Sequence, residues 1–326
     1  MKRLILSLSA LMASIGSVIA QTADNTVDIF FNGTSATVSV AANISSYITV
    51  TSGSSSHVKL VQSGSVNESV GEITYTLSGT STDGEFYMEG SYKASFELNG
   101  LTLTNPSGPA INIQDGKRIK MSVKNGTINK LTDGANADYN GCIHCKGHLE
   151  MKGKGELTVT GNSKHGIYSK EYMQVKNCTI NITAAAKDGI HCKEYFLMES
   201  GNISIANATD DGIQVEIDDN ISATGVTAEH EDENTGNFYM LDGILSISNY
   251  GSKAVVADGS LNFNGGTQNF DMNDTKSAVN LLKQQNRANN SSVVYDLAGR
   301  SFSAKTQAGK GLYLVKKDGK YIKVVK

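Results

Sequence analysis

Short runs of alternating hydrophobic and polar residues recur along most of the chain. They occur at residues 157–161 (LTVTG), 178–183 (CTINIT), 202–207 (NISIAN) and 244–249 (ILSISN). Each run is short and places β-branched side chains on one side, which is typical of a β-strand with one buried face. The repeat that contains these runs shows no helical period, so the pattern predicts an all-β fold.

A repeated Gly-Ile step separates the runs. Gly166, Gly189 and Gly212 each precede an isoleucine, and the two intervals between them are equal. Cys142 occupies the same slot almost one such interval before Gly166, and Ala254 occupies it nearly two intervals after Gly212. A constant interval of this length indicates a repeat architecture in which each repeat is one structural unit.

Two further segments belong to this repeat. An acidic insertion between Asp218 and Asn237 accounts for the long spacing before Ala254. Upstream, the segment GPAINIQDG resembles an earlier copy and is expected to place Pro109 in the glycine slot.

A repeat of about 23 residues with several short strands predicts a parallel β-helix, whose coils stack about 4.8 Å apart. Leucine-rich repeats need a Leu framework that is missing, and propeller blades are longer. The glycines are expected at a corner where a side chain would clash or a positive φ is needed. One isoleucine per coil would form an inward ladder: Ile143, Ile167, Ile190 and Ile213.

Composition excludes several other classes. The 326 residues include 33 Gly without a period of three, unlike collagen, and four Cys, too few for a disulfide-dense miniature protein. The net charge of −3 gives no signal for a nucleic-acid partner. The charge is uneven, because residues 291–326 carry eight Lys or Arg and two Asp. Without this +6 tail and the two basic residues of 1–20, residues 21–290 carry −11.

Both ends differ from the repeat. Residues 1–20 have Lys2 and Arg3 before an apolar stretch that closes on small residues, which predicts a signal peptide. The stretch is short for a membrane span, and no second span follows, so we expect none after its removal. The Asn/Ser-rich residues 284–292 are predicted to be a linker to a small C-terminal β-hairpin unit, residues 293–326.

Residues 73–120, followed by the coils that contain Asp-Gly-Ile, resemble the carbohydrate-binding β-helix family. The resemblance covers roughly residues 27–270. It implies a right-handed parallel β-helix, with residues 21–94 as opening coils or cap and residues 95–283 as the carbohydrate-binding domain. The characterised type of this family binds acidic, pectin-like plant polysaccharide and contains bound calcium.

The tail segments YDLAGR and KGLYLV resemble the C-terminal sorting domain of the type IX secretion system. The resemblance implies the secretion machinery as a partner, whereas a relic of such a domain or a plain edge hairpin is the alternative. Together with the signal peptide, it predicts transit through the periplasm to a secreted or cell-surface location.

Strand alternation assigns candidate glycan contacts to the outer surface. If the isoleucine ladder points inward, His144, Tyr168 and His191 point outward in successive coils. A second outward row follows in the same coils: Lys146, Lys170 and Lys193. Stacked lysines repel each other unless an anion lies between them, so this row is expected to bind the carboxylates of a uronic-acid polymer. The alternative is that these lysines extend into solvent.

Aromatic residues form another candidate surface. Tyr172 and Tyr195 occupy the same slot of neighbouring coils, with His148 in the coil before. Sugars stack on aromatic rings, and the chain has no Trp. The alternative is an aromatic corner that fills the fold.

Acidic residues suggest a calcium site. Asp188 and Asp211 precede Gly189 and Gly212, and Asp210 adjoins Asp211. Stacked carboxylates repel unless they share a hard cation such as calcium, which binds oxygen ligands. The acids of the insertion, in contrast, are expected to be solvated charges: Glu229, Glu231, Asp232 and Glu233.

A zinc interpretation of the cysteines fails on direction. Cys142, Cys145 and Cys192 lie near His144 and His191 at spacings that resemble a zinc site. Alternation turns Cys145 and Cys192 inward and both histidines outward. The cysteines are therefore predicted to be buried free thiols.

The primary hypothesis is non-catalytic binding of an extracellular, acidic polysaccharide assisted by calcium, with no catalytic residue assigned. One alternative is a calcium-dependent uronate lyase with Lys193 or Lys170 as base beside Asp188 and Asp211. A polygalacturonase-type hydrolase is excluded, because residues 118–120 (Arg-Ile-Lys) precede the Asp pair instead of following it. The second alternative is a structural surface or adhesion protein.

Overall fold

The computed structural model describes residues 22–221 and 233–271, together with the backbone of four short strands between residues 294 and 325. The predicted signal peptide (1–20) and linker (284–292) lie outside the described residues, as do Glu229, Glu231 and Asp232 of the insertion. The expectation that Glu233 is a solvated charge is wrong, because its side chain is buried and accepts a hydrogen bond from the Tyr239 hydroxyl.

The regular secondary structure of the described residues is β-strand, apart from one 3₁₀ helix at Ala42–Tyr47. The strands are β1 (Thr26–Asn32), β2 (Ser35–Val40), β3 (Ile48–Val50), β4 (His57–Gln62), β5 (Ile73–Ser81), β6 (Glu85–Glu89), β7 (Ala94–Thr104), β8 (Ile111–Gln114), β9 (Ile119–Val123), β10 (Ile128–Thr132), β11 (Gly141–Cys145), β12 (Leu149–Gly153), β13 (Glu156–Gly161), β14 (His165–Ser169), β15 (Met173–Lys176), β16 (Thr179–Ala185), β17 (Ile190–Lys193), β18 (Tyr195–Met198), β19 (Asn202–Ile205), β20 (Ile213–Glu216), β21 (Asn237–Met240), β22 (Ile244–Ile247), β23 (Val255–Ala257), β24 (Leu261–Phe263), β25 (Thr267–Phe270), β26 (Val294–Tyr295), β27 (Ser301–Phe302), β28 (Leu312–Lys317) and β29 (Lys320–Val325).

Three parallel faces run along the molecule. Face 1 contains β4, β6, β8, β11, β14, β17, β20 and β23, with β3 antiparallel at its start. Face 2 contains β9, β12, β15, β18, β21 and β24, and face 3 contains β10, β13, β16, β19, β22 and β25. The long strand β7 pairs with both β9 and β10, so faces 2 and 3 diverge from it. The predicted parallel β-helix is confirmed, with about 8 turns of near 25 residues.

The predicted isoleucine ladder lies in the core of face 1. Ile143 pairs with Ile167, Ile167 with Ile190, and Ile190 with Ile213. All four side chains are fully buried. Removing one such side chain from water contributes roughly 1.5–3 kcal/mol, and each coil can bury its isoleucine only against its neighbours.

The glycines of the repeat are required because neighbouring atoms lie too close for a side chain, and not because of their backbone conformation. A Cβ on Gly189 would lie 2.7 Å from the Gly212 carbonyl oxygen and 2.8 Å from Ile205, whereas its φ is not in the left-handed region. The expectation for Pro109 is wrong by one residue. Ile111 pairs with Ile143, so Ala110 occupies the slot of Cys142.

All four cysteines are buried free thiols, as predicted for Cys145 and Cys192. Cys145 and Cys192 belong to the core, and burial raises the pKa of Cys145 to about 12. They therefore cannot join the outward histidines in a metal site.

The tail strands β26–β29 form a small antiparallel sheet in which β28 and β29 make a hairpin. Across the residues that the structure describes, no helix has the length and hydropathy to cross a membrane.

We expect Gly189→Ala to lower the free energy of unfolding by about 1–3 kcal/mol, because the added methyl group overpacks the corner. Urea denaturation measures this loss. Gly116→Ala is the matched control, since a Cβ there meets no atom within 4 Å. Equal stability of the two variants would contradict the steric argument.

Candidate functional site

The rings predicted to point outward on face 1 form a continuous stack, here called the ring ladder (His144, Tyr168 and His191). His144 and Tyr168 are parallel at 5.3 Å between centroids, and Tyr168 lies 5.5 Å from His191. Tyr139 packs against the edge of His144. The rings lie outside the main core, yet each is at most 8% exposed. Alternation predicted their direction but not this mutual covering.

The lysine row (Lys146, Lys170 and Lys193) lies at the end of the paired positions of face 1. Cys145 pairs with Ser169, which precedes Lys170, and Lys193 pairs with Glu216 in the next coil. Lys146 and Lys170 are exposed. Lys193 is more covered and its Nζ lies 3.9 Å from Asp218 Oδ1. The row therefore ends in a partly compensated charge and begins with two solvent-facing ones.

The predicted stack of His148, Tyr172 and Tyr195 exists on face 2. The His148 and Tyr172 rings are 4.1 Å apart and nearly parallel, and Tyr172 lies 4.8 Å from Tyr195. Tyr195 is buried and packs with Leu197 and Tyr239 in a small cluster outside the main core. Only His148 and Tyr172 keep exposed surface. The stack thus fills a corner, because His148 and Tyr195 cover the two faces of Tyr172 and leave only the edge of its ring accessible.

A charged cluster beside this stack (His148, Glu171 and Glu194) did not emerge from the sequence. His148 Nε2 lies 2.9 Å from Glu171 Oε2 and 3.5 Å from Glu194 Oε2. Burial lowers the pKa of His148, but hydrogen bonds and charge interactions with both glutamates outweigh it and raise this pKa to about 9. Glu171 and Glu194 hold equivalent corner positions of neighbouring coils, and His148 lies one position further along in the coil before them. The strand register would have been the signal for this cluster.

The acid corner (Asp188, Asp210 and Asp211) is assembled as predicted, since one oxygen of each carboxylate lies within 4.8 Å of the others. The N–H of Asp211 donates to Asp188 Oδ1 at 3.0 Å, and the N–H of Lys253 donates to Asp211 Oδ1 at 2.8 Å. Burial and, further, the neighbouring carboxylates raise the pKa of Asp211. This repulsion is what a bound cation would relieve.

Two histidines change how this corner suits calcium. Asp188 Oδ2 lies 3.1 Å from His165 Nδ1 and 3.0 Å from His191 Nδ1. Calcium takes about six to eight oxygen ligands. With Asp188 already engaged on both oxygens, Asp210 and Asp211 are the residues that fit a calcium ion, and other oxygens must complete its shell. Of these two, only Asp210 is exposed to solvent.

Residues 63–317 match a family profile described as carbohydrate-binding domain-containing protein. The chain belongs to this family. A curated member from Acetivibrio thermocellus, named carbohydrate-binding domain-containing protein, is 29% identical over 132 residues, which cover 36% of this chain and 46% of that protein. The chain therefore spans about half the length of this curated relative.

A solved structure has the same fold. It is titled as the polysaccharide lyase-like protein from C. thermocellum, gadolinium derivative, and superposes with a TM-score of 0.53 at 22% identity. The match covers 76% of this chain and 98% of the other. At this identity the similarity concerns the fold of the coils.

We expect the contribution of His148 to stability to depend on pH. Its folded pKa is raised to about 9, above the unfolded value of about 6.5. The stabilisation is therefore complete below about pH 6.5 and is lost as the pH rises through 9. His148→Gln should destabilise the protein by on the order of 1–2 kcal/mol at pH 6, because partial exposure screens the pair. At pH 10 the variant and the original protein should unfold at similar urea concentrations. A pH-independent difference would contradict this account.

Proposed function

We propose that this carbohydrate-binding domain protein binds an acidic, pectin-like extracellular polysaccharide without cleaving it, through the lysine row of face 1. The observation that carries the proposal is that Lys146 and Lys170 occupy equivalent positions of neighbouring coils, both exposed and neither in a salt bridge among the described residues. Parallel strands lie about 4.8 Å apart, so the two ammonium groups repel each other until an anion joins them.

The overall charge makes such local contacts necessary. Residues 21–290 carry −11 and would repel a polyanion at long range. The lysine row supplies attraction directly. A calcium ion held by Asp210 and Asp211 would supply the rest, since glycan carboxylates can complete its oxygen shell.

The buried rings have a supporting role in this proposal. The ring ladder stacks directly beside the lysine row and holds the surface of face 1 rigid. On face 2, the Tyr172 ring lies between His148 and Tyr195, so a glycan can contact only the edge of this ring.

We expect the triple variant Lys146→Gln, Lys170→Gln, Lys193→Gln to lose at least about tenfold in affinity for polygalacturonate, since each exposed charge contact contributes up to about 1 kcal/mol. Affinity electrophoresis in gels with and without the polymer measures this loss. The matched control replaces three exposed lysines elsewhere and changes the net charge equally: Lys130→Gln, Lys152→Gln and Lys154→Gln. An equal loss of affinity in both triple variants would mean that net charge alone explains the effect, and it would overturn the proposed site.

The same gels test calcium. Chelation, or the double variant Asp210→Asn and Asp211→Asn, should weaken retention on polygalacturonate if calcium bridges protein and polymer. Retention that is unchanged by both treatments would rule out the bridge and leave the lysine row as the binding surface. Absence of retention on any glycan would instead favour the structural alternative.

The solved neighbour's title, which contains the words polysaccharide lyase-like, is the reason to test the lyase alternative. In that alternative Lys193 or Lys170 acts as base. Lys193 Nζ lies 3.9 Å from Asp218 Oδ1, so this side chain already has a carboxylate partner within the protein. The test is to add polymer to the protein in the presence of calcium and to follow ultraviolet absorbance. An increase from released unsaturated uronides would establish the lyase activity.

We also propose that the protein reaches the cell exterior through the periplasm, with residues 1–20 as signal peptide and 293–326 as the sorting tail. A chain that lacks residues 293–326 should accumulate in the periplasm of a host with type IX secretion, as fractionation and immunoblotting would show. Unchanged export of this truncated chain would assign the tail another role.

A further inference from the structure

Three titratable side chains converge on one point, and one of them is Asp188 of the acid corner. None of the three belongs to the lysine row that is proposed to bind the glycan. His165 begins β14, Asp188 lies between β16 and β17, and His191 lies on β17. Asp188 Oδ2 is 3.1 Å from His165 Nδ1 and 3.0 Å from His191 Nδ1. His165, Asp188 and His191 are 7%, 1% and 8% exposed, so this His–Asp–His cluster is enclosed by the fold.

The ligand atoms of this cluster have the spacing of a metal site. One ligand atom from each residue lies within 4.8 Å of the other two. Metal–nitrogen and metal–oxygen bonds of about 2.0–2.2 Å imply donor separations of about 3.3 Å in a tetrahedral zinc site. The two observed nitrogen–oxygen separations are a few tenths of an ångström shorter, a difference that a small rotation of either imidazole removes.

Hydrogen bonds divide the two oxygens of Asp188. Its Oδ1 accepts the N–H of Asp211, which leaves Oδ2 as the oxygen that faces both imidazoles. The N–H of Asp188 points at His165 Nδ1 from 3.3 Å, which favours the ring tautomer protonated at Nε2. In that tautomer a nitrogen lone pair faces a carboxylate oxygen, and two electron-rich atoms repel unless a cation lies between them.

A second carboxylate orients one of the rings from the other side. His191 Nε2 lies 3.4 Å from Glu216 Oε2, while its Nδ1 faces Asp188. Metal-binding histidines commonly have such an outer carboxylate, which fixes the ring and makes the inner nitrogen a better ligand.

We propose that His165 Nδ1, His191 Nδ1 and Asp188 Oδ2 bind one divalent transition-metal ion, with zinc as the ion that this donor set suits best. Two imidazole nitrogens and one carboxylate oxygen match zinc sites that keep a fourth position for water, whereas calcium prefers an all-oxygen shell. The ion would tie β14 to β17 across adjacent coils. This site differs from the proposed calcium site at Asp210 and Asp211, because two of its three ligands are histidine nitrogens and that pair offers only oxygen ligands.

The test is metal binding by the full chain, measured with zinc sulfate and no glycan. Equilibrium dialysis with elemental analysis should give one tightly bound zinc per chain that excess calcium does not displace. His165→Gln and His191→Gln should each weaken this binding by at least about a hundredfold. His57→Gln, which removes a histidine from β4 at the other end of face 1, should leave it unchanged.

Two outcomes would overturn the proposal. One is zinc binding that survives both ligand substitutions, and the other is zinc binding that is lost in His148→Gln, which would place the ion in the other cluster. Glu216→Gln should weaken zinc about tenfold to a hundredfold as an outer partner, whereas Asp210→Asn should affect calcium alone.

A spectroscopic measurement keeps the proposal testable if the ligand variants fail to fold. Cobalt(II) bound to the unaltered protein should give the intense visible absorption of a four- or five-coordinate site with nitrogen ligands, and zinc should abolish it. A weak spectrum of six-coordinate cobalt with oxygen ligands alone would contradict the assignment. These readouts involve no polysaccharide, so they stand whether or not the glycan proposal fails.

Discussion

Each coil of this protein is stabilised by the same slot of the coils above and below it. A single coil has no interior of its own, so the ladder of Ile143, Ile167, Ile190 and Ile213 exists only because parallel pairing keeps equal positions in register. Gly189 shows how tight the arrangement is, since an added methyl group would meet the backbone of the next coil. Every other feature, on the surface as well as in the core, follows from this vertical repetition.

The same repetition brings like side chains together on the outside. Aromatic rings stack favourably, so the vertical repetition stabilises the ring ladder. Like charges in neighbouring coils repel each other, so each such row of charged side chains needs oppositely charged groups nearby. Lys193 has Asp218, and His148 has two glutamates. Lys146 and Lys170 form no salt bridge among the described residues, and Lys170 interacts with Asp218 only at longer range, which is why the proposed glycan contact falls on them.

The sequence was informative wherever the repeat period alone decides position. The constant interval between Gly-Ile steps was enough to place the isoleucine ladder, the inward thiols and the acid corner. It failed at Pro109, because a copy without the Gly-Ile step gives no anchor for its register and Ala110 takes the slot. The repeat pattern also does not predict the solvent exposure of a side chain. Alternation fixes the side of the sheet on which His191 lies. Its burial depends instead on the packing of the neighbouring rings, which a strand pattern does not predict.

The insertion between β20 and β21 shows what vertical registration permits. Ile213 pairs with Val255 across this insertion as regularly as Ile190 pairs with Ile213 across a coil that has none. The Asn234 side chain closes the base of the extra segment: its Oδ1 accepts the backbone N–H of Asp218 and its Nδ2 donates to the Asp218 carbonyl oxygen. The strands on either side therefore continue undisturbed. A solenoid of this kind can acquire new loops at its corners without redesign of its interior. Its binding specificity can therefore evolve by local grafting while the scaffold stays constant.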